Sequence, residues 1–185
     1  MPPGEGAKAQ RQKVPRRRKA PARLAAPSRA EVAAAPLVDA LTDLVESRRQ
    51  AAARHVLRTC NPAAVALLCR GLVERLLAGP AEGRRAARAS LVQVGAAAVP
   101  ALYYRLLGAR GAGTQLALVG ALAAIGAGLP THDRVDRMLD LMIVRGRAAD
   151  GAVVEAIDRA VATLRRLNER DGRANTPRRQ ALPAR

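Results

Sequence analysis

The sequence contains no phenylalanine and no tryptophan, and its only aromatic residues are Tyr103 and Tyr104. That excludes a core built on aromatic layers and a single-strand nucleic-acid platform, which needs a series of stacking rings. Cysteine is scarce. Cys60 and Cys69 stand nine apart, neither a CxxC nor a zinc spacing, which argues against a metal knuckle or a disulfide framework and for a reduced interior. The two histidines, His55 and His132, have no nucleophile beside them to make a catalytic set. No secretory leader is expected, because the apolar run Leu24–Ala26 is too short for one. Long hydrophobic runs are missing too. Residues 111–130 carry no charge, but Thr114, Gln115 and five glycines leave only Leu116–Ile125 solidly apolar, the length of a buried helix rather than a membrane span.

What remains is alanine, leucine and arginine, all good helix formers, and the expected fold class is all-α. Alanine buries little area per residue, so such helices gain from packing only if they approach closely. Many short helices in layers meet that need better than one thick core.

The net charge of +17 is unevenly placed. Residues 1–30 hold nine Lys/Arg against one acid and no apolar period, with five prolines. They read as a disordered basic arm. Within it Lys13, Arg16, Arg17, Arg18 and Lys19 are the candidate polyanion-binding residues. Engaging about five phosphates would give log K a slope of about −4 to −5 against log salt. Residues 170–185 hold five arginines and Asp171 and read as a second loose tail. The body, 31–169, has a net charge of only +5.

Apolar spacing predicts eight helices in that body. Pro36 suits the start of the first, which carries Leu37, Leu41, Leu44 and Val45 on one face. Ser47 would cap the second, with Ala52, Val56 and Leu57 on its stripe. Asn61-Pro62 would cap and start the third, striped by Val65, Leu68, Leu72 and Leu76. Helices at 81–94, 97–107 and 114–125 follow, the middle one with Val99, Leu102, Leu106 and Leu107 inward. Thr131 would cap a seventh, its face formed by Val135, Met138, Leu139, Met142 and Ile143. The last, 151–168, uses Val153, Val154, Ile157, Val161, Leu164 and Leu167.

Short helices joined by short turns call for a repeat search. A shift of 34 residues sets Ala52-Ala53-Arg54 on Ala86-Ala87-Arg88, Leu57 on Leu91, Val65 on Val99 and Leu72 on Leu106. A shift of 31 sets Leu91 on Leu122 and Val94-Gly95 on Ile125-Gly126. The best-formed unit runs Arg84-Arg85-Ala86-Ala87, Leu91, Val94-Gly95, Ala98-Val99-Pro100-Ala101-Leu102. It resembles the HEAT-repeat family, particularly the short bacterial units. The likeness is specific over 84–129, weaker over 47–145 and absent from the tails. Asn61-Pro62 replaces the glycine turn in the first copy, and the third lacks the Val-Pro pair.

The resemblance implies a short α-solenoid of about three helix pairs, with 36–46 and 151–168 as capping helices. In that reading Gly95 and Gly126 end helices in a left-handed conformation.

Candidates for chemistry are few. Asp133, Asp136 and Asp140 share a helix face beside His132, but Arg134 and Arg137 interleave, so a solvated acidic ridge is expected rather than a cation site. The 108–113 segment, Gly-Ala-Arg-Gly-Ala-Gly, lacks a P-loop's ending and follows a helix, so it reads as a turn. Adjacent Tyr103 and Tyr104 must point apart on a helix, one packing and one outward. The expected function is a non-enzymatic scaffold for protein–protein interaction, with no cofactor and no metal, whose basic tails add attraction to polyanions. The alternative is a sequence-independent nucleic-acid binder using the arm and the arginine-bearing helices. The expected location is a bacterial cytoplasm, at the nucleoid if the alternative holds.

Overall fold

A computed structural model describes residues 29–175, and the chain there is all-α. The elements are α1 (Arg29–Leu41), α2 (Glu46–Thr59), α3 (Pro62–Ala78), α4 (Ala81–Val94), a 3-10 turn over Gly95–Ala98, α5 (Val99–Gly108), α6 (Ala112–Gly128), α7 (Thr131–Arg145) and α8 (Gly151–Asn175). The polyanion-binding candidates Lys13, Arg16, Arg17, Arg18 and Lys19 lie outside the described residues.

Local chemistry sets several boundaries. Asn61 Oδ1 accepts the Ala64 amide at 2.8 Å and Pro62 takes the first helical position, as the sequence predicts. Asp150 plays the same part for α8, its Oδ1 accepting from the amides of Ala152 and Val153. Gly95 is the only residue described with positive φ, at 68°, and turns the chain between α4 and α5 where a side chain would be strained.

Four sequence expectations shift. Pro36 lies inside α1, not at its start, because the alanine run before it extends the helix towards Arg29. Ser47 is not a cap, since α2 begins one residue earlier, after Val45. Thr131 is itself the first residue of α7, behind Pro130, and no side chain caps that end. Gly126 lies within α6 rather than ending it. Its value is space: a Cβ there would stand 3.1 Å from Leu164 Cδ2 of α8. Gly71 does the same for α1 and α3, where a Cβ would meet Val38 Cγ2 at 2.8 Å.

Each helix packs on the helix two places further along. Helices α1, α3, α5 and α7 form one row, and α2, α4, α6 and α8 form the other. Most sequential neighbours, such as α3 with α4 and α7 with α8, join the rows. Leu41, Leu72, Leu91, Leu102, Leu118, Leu122, Ile125, Leu141, Ile157 and Leu164 are fully buried within one contiguous core. Each contributes about 1.5–3 kcal/mol over an exposed position. Polar ties are sparse and placed where helices leave carbonyls free. Ser90 Oγ, fully buried on α4, donates to the Leu41 carbonyl at the end of α1. Arg88 of α4 donates to the Gly120 carbonyl of α6 at 3.0 Å.

Residues 81–108 form one near-continuous helical stretch, long and apolar enough by composition to cross a bilayer. Gly95 interrupts it, and it packs against α3 and α6. The charge-free α6 is held by α4, α5 and α8.

The largest departure from the apolar pattern is α7. Its inward residues are Arg134, Leu141 and Val144. Four of the five apolar residues expected to face the core point outward instead: Val135, Leu139, Met142 and Ile143. Only Met138 packs against the core, and it is half-buried. The inward face is held by several contacts together: Leu141 and Val144 lie in the core, and Arg134 Nη1 donates to Asp171 Oδ2 of α8 at 2.6 Å and to Asn168 Oδ1 at 3.3 Å. Helix α8 runs on through Asn175, past the end expected at 168, so 170–175 are helical.

Candidate functional site

The row α1–α3–α5 bears an open groove of about 870 Å³. Three small residues line it from the two flanking helices: Ala34 and Ala35 of α1, and Ala101 of α5. Val38 and Val73, both buried, and the close approach at Gly71 form its base. Alanine and glycine on adjacent helices thus give the core its close packing and leave a hollow outside it.

Charged residues ring the groove. Arg105 Nε lies 3.3 Å from Glu74 Oε1, linking α5 to α3. Arg75 of α3 donates to Asp39 of α1. Arg70, also lining the groove, is exposed and makes no ion pair among the described residues. At the mouth stands Tyr104, 76% exposed. Its neighbour Tyr103 packs against the core, so the pair does point apart. A ring with a polar tip, an unpaired guanidinium and an apolar floor can seat an apolar side chain and a carboxylate from another molecule.

The second charged surface belongs to the other row. Arg54 and Arg58 of α2 and Arg84, Arg85 and Arg88 of α4 are exposed. The two helices hold seven arginines against Glu46 and Glu82, a net +5. Arg48 and Arg49 turn aside to the α1–α2 loop, the first 3.6 Å from Asp43 and the second donating to the Asp43 and Leu44 carbonyls.

The acidic ridge on α7 is divided by polar contacts. Asp140 holds Arg137 at 2.6 Å and Asp133 lies 3.1 Å from His132. Among the described residues no three His, Cys, Asp or Glu side chains come together as metal ligands would. His55 is exposed on α2. Cys69 is fully buried and unbonded, and burial pushes its thiol up to about 11. Cys60 is half-buried. Of the 108–113 segment only 109–111 connects the helices, since Gly108 ends α5 and Ala112 and Gly113 open α6; the Ala109 carbonyl accepts from Gln115 Nε2 at 3.0 Å.

Periodicity alone could not find the groove, since it depends on where three helices leave a gap. The signal available was the exposed member of the Tyr103-Tyr104 pair. No protein-family model, curated protein or solved structure matches this chain.

Proposed function

We propose that the chain is a short HEAT-like α-solenoid that acts without catalysis, docking a protein partner in the groove of the α1–α3–α5 row. In this reading the sequence repeats fall on α2–α3, α4–α5 and α6–α7, with α1 and α8 at the ends, whereas the sequential helices packed closely together are α1 with α2, α3 with α4, α5 with α6, and α7 with α6 and α8. What supports the reading is the alternation of the two rows, because stacked helices bury the face that each lacks alone. The observation that carries the docking reading is Tyr104, a largely exposed aromatic over an apolar hollow in a chain with only one other aromatic. Tyrosine and arginine are the side chains that most often anchor interfaces. The expected ligand is a segment presenting an apolar residue to Tyr104 and an acid to Arg70.

A photocrosslinking amino acid at position 104 tests it in cells, with one at Arg54 as control. A defined protein adduct at 104 that disappears in Arg70→Glu supports the reading. No protein adduct at 104, or the same adducts at both positions, removes it.

The α2–α4 surface favours a second reading, in which nucleic acid is held through its phosphates without base recognition. Titration of duplex DNA at two salt concentrations, with and without residues 1–28, separates the contributions. Salt-dependent binding that survives removal of the arm assigns it to α2 and α4.

A further inference from the structure

Helix α7 is the last helix of its row among the described residues. It touches α5, α6 and α8, and no further helix covers its outer side. A stack of helix pairs needs a polar face where it stops. The exposed side of α8 meets that need with Glu155, Asp158, Arg159, Arg165, Arg166 and Glu169. The exposed side of α7 does not. Val135, Leu139, Met142 and Ile143 are 42%, 55%, 53% and 49% exposed, and they lie one turn apart along the helix face opposite Arg134 and Leu141. Asp136 lies beside the first residue of this stripe, and Arg147 stands just past the end of the helix. Neither makes an ion pair among the described residues, whereas Asp140, Arg137 and Arg145 beside them are all engaged.

We propose that a second copy of this chain covers the stripe, α7 packing antiparallel against α7 about a two-fold axis near Leu139–Met142. The argument is self-complementarity. An isologous contact pairs each end of a helix with the opposite end of its twin. Asp136 near one end and the free Arg147 just past the other therefore come within side-chain reach of each other twice, while the apolar stripe meets itself. The basic arm offers no comparable fit, because its prolines and cations have no apolar face to lay on the stripe. The four side chains supply less than the ~800 Å² that each partner gives a standard interface, so the association is weak and concentration-dependent. The proposal does not rest on the groove, which lies on other helices and is tested separately.

Sedimentation velocity of the full chain, from a few micromolar to several hundred micromolar, is the test. The mass should rise from 19.5 kDa towards twice that value. Leu139→Asp should abolish the rise without altering the helical circular dichroism, since Leu139 is exposed. Arg147→Asp should weaken association by at least tenfold, and the double variant Asp136→Arg, Arg147→Asp should restore it, because the swap recreates both pairs. A monomer at every concentration overturns the proposal. So does a dimer that survives Leu139→Asp, or a charge swap that fails to rescue Arg147→Asp.

Discussion

Helices α7 and α8 end the two rows side by side, yet they distribute their apolar residues in opposite ways. In α8 the buried set is Val153, Ile157, Ala160 and Leu164, a clean stripe, and the outside is charged. In α7 the buried set includes an arginine, and the larger apolar stripe lies outside. Both helices are amphipathic by sequence. Only one is amphipathic in the direction that the core requires. Apolar periodicity fixes that a helix has two unlike faces, and the contacts available in the fold decide which face turns inward. Here they are the core around Leu141 and Val144 and the pairing of Arg134 with Asp171 and Asn168, whose reach across 37 residues of chain hides it from any local pattern.

The largest test of this contrast replaces equivalent leucines. Leu164→Ala should cost about 2–5 kcal/mol of stability in urea denaturation, because it opens a cavity in the core. Leu139→Ala at low protein concentration should change stability by less than about 0.5 kcal/mol. Equal losses at the two sites would erase the contrast.

Next in size is the contact itself. The Arg134 side chain is only 10% exposed and its bond to Asp171 is charge-assisted, so Arg134→Ala should cost about 1.5–3 kcal/mol. Hydrogen exchange should then quicken in residues 168–175 before the rest of α8. Uniform acceleration along α8 would show that Arg134 has no particular hold on the last turns.

The smallest effect is expected on the solvent side. Arg145 Nε donates to Asp158 Oδ1 at 2.6 Å, and that bond holds the Asp158 carboxyl below its ordinary value. A depressed folded-state value means that the contribution is complete above the unfolded carboxyl's pKa and is lost as pH falls through the folded value. Asp158→Asn should thus lower Tm slightly near neutrality, and the difference from the native chain should vanish in acid. Because the pair is exposed, a large difference at any pH would contradict its placement.

Much of the fold was legible. All eight helices and most of their bounds follow from apolar spacing, and Asn61-Pro62 marks a real cap because its chemistry is local. Stripes flanked by core on both sides also read correctly, as Val65, Leu68, Leu72 and Leu76 all bury. Errors gather where the row stops or a helix ends. Leu44 lies past the end of α1, and Leu57 and Leu107 sit at helix margins. An apolar residue there matches the period without having a neighbour to pack against. The groove was illegible because it is a gap between three helices. Gly126 shows the converse: its type was informative, but close packing against Leu164 rather than a left-handed turn explains it.

Cysteine labelling tests the orientation of α7 most directly. In a background with Cys60 and Cys69 changed to alanine, Leu139→Cys and Leu141→Cys would be exposed to a maleimide at low protein concentration. Rapid labelling at 139 and protection at 141 is the expected result. Protection at 139 with rapid labelling at 141 would mean that α7 turns its apolar stripe to the core after all. The uncovered face, and the pairing proposed for it, would then be lost.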